Sequence, residues 1–254
     1  MKVDIKTKAE IDKMREACRL TAEVRDLCAA KIEPGMTTKN IHDIVLDFCR
    51  KNKVTASFLG YMGYPGALCV SINDEVIHGI PSERRIIMPG DLVKIDVGIC
   101  KNCFNGDTAR TIPIGICDPD ILRLVETTKR CLAAGIQAVG PGVHIGDIGA
   151  AVQEIAEKEG FGVVRDFVGH GVGRKVHEEP QVPNYGKRGK GMILRPGMTI
   201  AIEPMITLGD YRVEVLEEEW TVVTRDGSMA AHFEHTVAVT EDGYEVLTLP
   251  ADYP

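Results

Sequence analysis

The chain has 254 residues, of which 44% are hydrophobic and 26% charged, and its formal net charge is −7. This composition is typical of a globular protein, and the length fits one domain, residues 1–254, built from two similar halves. A membrane span needs about 18 consecutive apolar residues, and no such run occurs. The acidic balance, without a long basic patch, argues against a nucleic-acid-binding protein.

The first predicted element is a helix over residues 7–31. Thr7 and Glu10 have the spacing of a capping box. Apolar or small side chains then recur every three or four residues, at Ile11, Met14, Cys18, Thr21, Val24 and Cys28. Pro34-Gly35 ends the helix. The charged segment from Met1 to Glu16 has no apolar core of a signal peptide, so we expect no secretion signal.

An internal repeat follows the first helix. Pro34-Gly35 opens a helix-like segment, and Pro141-Gly142 opens a similar one 107 residues later. Pro89-Gly90 precedes a strand-like segment, and Pro196-Gly197 precedes its counterpart at the same offset. The pattern predicts a duplicated unit over roughly 34–97 and 141–204.

The repeat places two acids at matched positions. From Leu92 to Gly98, apolar residues alternate with polar ones and leave Asp96 on the polar face. From Thr199 to Glu203, the same alternation leaves Glu203 on the polar face. Two halves related by a pseudo-two-fold axis would bring Asp96 and Glu203 towards one centre.

Two further predicted strands carry acids. Residues 104–114 place Asp107 on one face, and residues 231–239 place His232, Glu234 and Thr236 on one face. The order of helix, strands, helix, strands predicts an α+β fold with a curved, largely antiparallel sheet and helices packed on one side.

Four clustered carboxylates would repel one another unless their pKa values rose or cations bound between them. Asp96, Asp107, Glu203 and Glu234, joined by a histidine, would match the mixed oxygen and nitrogen donors of a two-metal hydrolytic site. His170, in the string Gly169-His170-Gly171-Val172-Gly173, is the candidate. The sequence leaves open whether it is a ligand or a turn histidine with a satisfied hydrogen bond.

Other functional motifs are absent or incomplete. The glycines around His170 lack dinucleotide-binding spacing, and His177-Glu178-Glu179-Pro180 fails the HExxH zinc pattern because Gln181 follows. No serine lies in a GxSxG turn, and no cysteine has a protease signature. The imidazole of His78 is either buried or faces a substrate. The basic segment 187–190 fits a solvated loop, with contact to an anionic partner as the alternative.

The eight cysteines are scattered along the chain. Four lie among apolar residues and are predicted to be free core thiols, as expected in a reducing cytoplasm: Cys18, Cys28, Cys49 and Cys131. Cys100 and Cys103 form a CxxC motif without a second ligand pair for zinc. Because this motif lies between two strand-like segments, its position predicts a hairpin turn.

Seven groups of residues, in order along nearly the whole chain, resemble the type I methionine aminopeptidases. They are Ser71-Ile72-Asn73 with His78-Gly79-Ile80-Pro81, Asp96-Val97-Gly98, Gly106-Asp107-Thr108-Ala109-Arg110, Gly169-His170-Gly171-Val172-Gly173, His177-Glu178-Glu179-Pro180, Ala201-Ile202-Glu203-Pro204 and Glu234-His235-Thr236. The resemblance implies the pita-bread fold and a single catalytic domain with a dinuclear metal centre. It also implies removal of N-terminal methionine from nascent proteins and peptides, preferably before a small second residue.

The resemblance also implies roles for the metal-site residues. Asp96 would chelate one divalent ion, His170 and Glu203 the other, and Asp107 and Glu234 would bridge both. The ions would be Mn, Fe, Co or Zn. A water or hydroxide between them would attack the Met–X peptide bond, with Glu203 taking the proton.

For the substrate, the resemblance implies contacts from His78 and His177 near the scissile bond, with His177 stabilising the oxyanion. The methionine pocket would be formed by Tyr61, Tyr64, Cys69 and Trp220. Two residues depart from the family pattern, because Phe58 replaces a frequent cysteine and Val176 a frequent aromatic residue. Both departures affect the expected shape of the pocket.

Further expectations concern partners and rival functions. The resemblance implies action on nascent chains with transient ribosome association, as a cytoplasmic monomer that binds neither nucleic acid nor membrane. Prolidase and aminopeptidase P resemble the same five ligands, but they usually carry an additional N-terminal domain for which this chain has no room. A non-catalytic peptide-binding module of this fold would have lost metal ligands, and all five are present here.

Overall fold

The computed structural model describes residues 3–249, so the two ends of the predicted domain, 1–2 and 250–254, lie outside the described residues. Within that range the chain forms four α-helices: α1 (Lys8–Lys31), α2 (Thr38–Asn52), α3 (Pro119–Gln137) and α4 (Ile145–Lys158). A single 3-10 turn spans Tyr61–Gly63. None of the helices in the described part combines the length and apolar character that a membrane crossing requires.

The strands pair antiparallel throughout the described range and form four hydrogen-bonded sheets. They are β1 (Thr55–Ala56), β2 (Cys69–Ile72), β3 (Glu75–Ile77), β4 (Leu92–Lys101), β5 (Phe104–Pro113), β6 (Gly162–Val163), β7 (Gly169–Gly171), β8 (Glu178–Val182), β9 (Thr199–Ile202), β10 (Met205–Thr207), β11 (Val213–Val215), β12 (Val222–Thr224), β13 (Ala230–His232), β14 (His235–Val239) and β15 (Tyr244–Val246). The predicted α+β class with antiparallel strands is confirmed.

The first helix begins where its capping residues predict. The Glu10 carboxylate accepts from the Thr7 backbone N–H at 2.8 Å, and the Thr7 hydroxyl accepts from the Glu10 N–H at 3.4 Å. These two bonds satisfy donors that a helix start leaves unpaired. Met14, Cys18, Val24 and other residues of the predicted face are buried, and α1 packs on β4 and β5.

The longest strands, β4 and β5, form a hairpin that contains the CxxC motif. Cys100 pairs with Asn105, and the turn residues Asn102 and Cys103 have φ values of 53° and 63°. Positive φ at both central positions is the signature of a type I′ turn. The predicted hairpin turn is therefore confirmed, and so is the prediction of buried free thiols at Cys18, Cys28, Cys49 and Cys131.

The prediction of a single strand over residues 231–239 is wrong. The structure has β13 and β14, separated by Phe233 and Glu234, and each pairs with a different neighbour, β10 and β9 respectively. The partner segment is also interrupted, by Glu203 and Pro204 between β9 and β10. Proline has no N–H to donate to a ladder. Glu203 and Glu234 therefore lie in facing breaks rather than within strands.

Hydrogen bonds recur at the offset of 107 residues. Gly35 N–H donates to the Ile87 carbonyl at 2.8 Å, and Gly142 N–H donates to the Leu194 carbonyl at 2.9 Å. The helices that follow, α2 and α4, also begin 107 residues apart. These bonds support a duplicated unit, while the division of the whole domain into two halves stays a prediction.

The apolar core has two large clusters. One gathers buried side chains of α1, α2 and β4, and the other gathers those of α3, α4, β9 and β14. Each fully buried aliphatic side chain contributes about 1.5–3 kcal/mol relative to an exposed one. The acids Asp96, Asp107, Glu203 and Glu234 lie in or beside strands that pack against these clusters.

Candidate metal centre and active site

Four acids converge from neighbouring strands and breaks. Asp96 and Asp107 belong to β4 and β5, where Gly98 lies opposite Asp107, so the two acids are diagonal neighbours. Glu203 follows β9 and Glu234 precedes β14. The Glu234 N–H donates to the Ala109 carbonyl at 3.0 Å, which ties this break to β5.

A threonine fixes the backbone of Asp107. The Thr236 hydroxyl accepts from the Asp107 N–H at 3.0 Å and donates to the Asp107 carbonyl at 2.8 Å. Ligand atoms of Asp107, His170 and Glu234 all lie within 4.8 Å of one another. The structure therefore brings donors from three distant chain segments into one cluster.

His170 lies on β7 between two glycines that the packing requires. A Cβ atom at Gly169 would lie 2.3 Å from the Ala201 carbonyl oxygen, and one at Gly171 would lie 2.2 Å from that of Glu179. The His170 Nδ1–H donates to the Gly171 carbonyl at 2.9 Å, which leaves Nε2 with a lone pair in the neutral ring. Nε2 lies 3.4 Å from Glu203 Oε1.

Burial dominates the electrostatics of the four acids. It raises the pKa of Asp96 to about 7 and that of Glu203 to about 8. Burial, reinforced by the neighbouring carboxylates, raises the pKa of Asp107 and of Glu234 well above the usual range. Isolated buried charges are costly, so the cluster either holds protons or takes up cations.

Three buried carboxylate oxygens have no hydrogen-bond partner among the described residues: Asp96 Oδ1, Asp107 Oδ1 and Glu234 Oε1. An orphaned buried polar atom costs about 1–3 kcal/mol, and more when it is charged. Together with the bare Nε2 of His170, these atoms form the oxygen and nitrogen donor set that divalent transition metals prefer. The residues present therefore fit the metal ions that the sequence predicts.

The carboxylates belong to the lining of a cavity of about 320 Å³. Its lining contains every predicted site residue except Val176, together with Met62: Phe58, Tyr61, Met62, Tyr64, Cys69, His78, Asp96, Asp107, His170, His177, Glu203, Trp220 and Glu234. Val176 lies behind this lining and packs in one apolar cluster with Phe58, Tyr64 and Cys69.

The same lining has an apolar part, whose side chains pack in that cluster. The rings of Tyr64 and Trp220 meet edge to face with centroids 5.0 Å apart, and the Tyr64 hydroxyl donates to the Gly79 carbonyl at 2.9 Å. Cys69 lies directly opposite Asp96 in the ladder of β2 and β4, so the apolar part of the lining and the acids are neighbours. Phe58 packs on Gly98, where a Cβ atom would lie 2.9 Å from the ring.

Two histidines face the same cavity. The ring of His177 lies 4.1 Å from that of His170, and its Nδ1 is 3.0 Å from the Tyr61 hydroxyl. His78 has a φ of 60°, in the left-handed region that is rare for a residue with a side chain. The half-buried ring of His78 lines the cavity, and its contact with a substrate stays a prediction.

Two residues at this site were not predicted from the sequence. Met62 lies between the predicted pocket residues Tyr61 and Tyr64, and that proximity was the available signal. His232 is 1% exposed, and its Nε2 lies 3.5 Å from Glu203 Oε2. It shares its predicted strand face with Glu234, which was a signal too weak to separate it from an ordinary core histidine.

A sequence model described as "Metallopeptidase family M24" matches residues 12–241. The chain is 46% identical over 247 residues to methionine aminopeptidase A of Synechocystis sp., covering 97% of this chain and 98% of the relative. It is 45% identical to methionine aminopeptidase 1 of Bacillus subtilis, covering 96% and 98% respectively. All the curated relatives named here match over nearly their full length.

Solved structures lead to the same family. The crystal structure of methionine aminopeptidase from Thermotoga maritima has a TM-score of 0.95 and 46% identity, covering 97% of this chain and 99% of that chain. Prolidase from Pyrococcus furiosus has a TM-score of 0.77 and 25% identity, covering 96% of this chain and 65% of that chain. These similarities confirm the predicted pita-bread fold. Since the family model and the relatives cover nearly the whole sequence, the chain belongs to metallopeptidase family M24.

Proposed function

We propose that the chain is an aminopeptidase that removes N-terminal methionine from nascent proteins and peptides, preferably when the second residue is small. One observation carries this proposal: a cavity of about 320 Å³ is lined both by a cluster of apolar side chains and by buried carboxylates. The apolar side chain of a substrate's first residue fits against the apolar side chains. The peptide bond after that first residue then lies at the acids. The names of the relatives support methionine as the residue removed.

We propose two divalent ions, Mn, Fe, Co or Zn, at the acids. Asp96 would hold one ion, His170 and Glu203 would hold the other, and Asp107 and Glu234 would be shared between them. The bare Nε2 of His170 and the orphaned oxygens support these roles. When bound, such ions polarise a carbonyl and lower the pKa of water from about 15.7 to about 7.

The remaining steps belong to side chains of the cavity. Glu203 takes a proton from the attacking water and passes it to the leaving amine. The Tyr61 hydroxyl lies 3.0 Å from Nδ1 of His177. In the tautomer that we propose, the hydroxyl donates to Nδ1 and the Nε2–H of His177 donates to the oxyanion. His78, which lines the same cavity, donates near the scissile nitrogen. The catalytic set is thus His78, His177 and Glu203.

The methionine pocket is formed by Phe58, Tyr61, Tyr64, Cys69 and Trp220, with Val176 supporting it from behind. Phe58→Ala is expected to raise KM for methionyl peptides about tenfold and to admit bulkier first residues, because the ring fills space next to Gly98. The measurement compares kcat/KM for methionyl and phenylalanyl peptides. Leu59→Ala is the matched control, since Leu59 is 50% exposed. An unchanged ratio for Phe58→Ala would remove Phe58 from the pocket.

The main rival is a peptidase specific for Xaa-Pro, since prolidases share the fold. The purified chain is stripped with chelator, reloaded singly with Mn, Fe or Co, and assayed on Met-Ala-Ser and on Xaa-Pro peptides. We expect methionine release only after a metal is added. Equal activity in chelator would contradict the metal mechanism, and activity confined to Xaa-Pro peptides would identify the rival.

We propose further that the enzyme acts in the cytoplasm as a monomer on nascent polypeptides, in transient association with the ribosome and without binding nucleic acid or membrane. Buried free thiols at Cys18, Cys28, Cys49 and Cys131 support a reducing compartment. The net charge of −7 supports limited affinity for bare nucleic acid.

A further inference from the structure

The carboxylate of Glu203 lies between two imidazole rings. His170 Nε2 is 3.4 Å from Oε1, and His232 Nε2 is 3.5 Å from Oε2. His170 belongs to the predicted metal site, whereas His232 has no role in the function proposed above. His232 is 1% exposed, and its Nε2 has no hydrogen-bond partner among the described residues. A buried unpaired nitrogen aimed at a functional carboxylate requires an explanation.

The two rings differ in what fixes their protons. The carbonyl of Gly171 holds the proton of His170 on Nδ1, which leaves its Nε2 bare. The ring atom of His232 without a hydrogen-bond partner in the described part of the chain is Nε2. The nearest partner for its Nε2 is the Glu203 carboxylate at 3.5 Å, which only accepts when it is ionised, as it is in a metal ligand. A neutral His232 that carries its proton on Nε2 matches this acceptor.

The backbone of His232 is held firmly. Its N–H donates to the Thr111 hydroxyl at 2.9 Å, and the same hydroxyl donates to its carbonyl at 2.6 Å. At the start of β13, the buried Lys94 ammonium donates to the Ala230 carbonyl at 3.1 Å. These bonds anchor β13 to β4 and β5, so the imidazole approaches Glu203 from a rigid base.

We propose that His232 is a positioning residue that donates its Nε2–H to Glu203 Oε2 and thereby turns Oε1 towards the metal shared with His170. This inference rests on the proposed function, in which Glu203 is a metal ligand. Partners that orient metal ligands commonly contribute about 10–100-fold to metal affinity or activity. The contact of 3.5 Å shortens to an ordinary hydrogen bond when the site is loaded, as is common for active-site contacts.

The test uses His232→Ala and His232→Gln, with Mn²⁺ affinity measured by calorimetry on the full chain and kcat/KM on Met-Ala-Ser. His232→Ala is expected to weaken Mn²⁺ binding about 10–100-fold. His232→Gln is expected to recover most of the affinity, because its amide N–H donates to the same oxygen. Nitrogen-15 NMR of the wild type loaded with diamagnetic Zn²⁺, in which Glu203 is an ionised ligand, is expected to show the proton of His232 on Nε2.

His144→Ala is the control, since that histidine lies at the start of α4 and its ring contacts the Gly191 carbonyl, away from the acids. Unchanged Mn²⁺ affinity in His232→Ala, or a proton on Nδ1, would overturn the proposal. Melting of the metal-free variants separates misfolding from lost positioning, and His232→Gln keeps the test decisive if His232→Ala unfolds. Unchanged Mn²⁺ affinity in Glu203→Gln would instead overturn the proposed role of Glu203.

Discussion

Replacing Asp107 with asparagine is expected to abolish turnover, with kcat/KM falling by at least about 10³-fold. Asp107 is 3% exposed, and its Oδ1 has no partner among the described residues. Asparagine keeps one neutral oxygen and replaces the other with an N–H donor, which cannot bind a cation. The measurement combines kcat/KM on Met-Ala-Ser with the metal content of the purified variant, and both are expected to fall.

The fold is expected to survive this change. The backbone N–H and carbonyl of Asp107 both bind the Thr236 hydroxyl, and neither bond involves the carboxylate. Asp47→Asn makes the same chemical change on the exposed surface of α2 and serves as the control. A full rate in Asp107→Asn would show that the bridging role belongs to another residue, whereas a lost melting transition would show that the carboxylate is needed for folding.

Local pattern was sufficient to select the acids. Alternation along β4 and β9, together with the offset of 107, was enough to match Asp96 with Glu203. The same alternation assigned the acids to the polar face of each strand, but it carried no information on how deeply that face is buried. Asp107 and Glu234 are 3% and 2% exposed, because other strands and loops cover the polar faces. A single sequence does not specify what lies on the second face of a sheet.

The break between β13 and β14 could not be predicted from the sequence either. Residues 231–239 alternate without interruption, yet Phe233 and Glu234 separate two strands that pair with different neighbours. Which neighbour a strand meets depends on residues distant in the chain, and local alternation carries no such information. The role of His232 was hidden for the same reason, since its contact with Glu203 spans this break.

Glu203→Gln is expected to have opposite effects on activity and on the stability of the metal-free protein. Activity falls by about 10²–10³-fold, because the variant loses its proton acceptor and a charged ligand. The metal-free variant, in contrast, becomes more stable than wild type above neutral pH. Burial raises the folded pKa of Glu203 to about 8, from the ordinary value of 4.5. Measurement is by denaturant unfolding in chelator from pH 5 to pH 8.5.

The stability of the metal-free wild type falls with rising pH because its folded state keeps a proton that its unfolded state loses. Below the unfolded pKa of 4.5, both states of wild type hold the proton, so the stabilising effect of protonation is fully present. Between that value and about 8 the folded state alone keeps the proton, so stability falls as pH rises by up to about 1.4 kcal/mol per pH unit. Asp96, with a pKa raised to about 7, adds a similar slope in both proteins.

Glutamine at position 203 cannot titrate, so the variant lacks the proton that Glu203 contributes to the folded state. Its unfolding free energy should therefore fall less steeply with rising pH. The expected difference at pH 8 exceeds about 1 kcal/mol in favour of the variant. Saturating Mn²⁺ reverses the order, because a ligand that binds the folded state stabilises it by RT ln(1 + [L]/Kd) and favours the intact site. Glu241→Gln repeats the change on the exposed surface as a control. Parallel pH profiles for wild type and Glu203→Gln would mean that Glu203 does not keep a proton in the folded, metal-free chain.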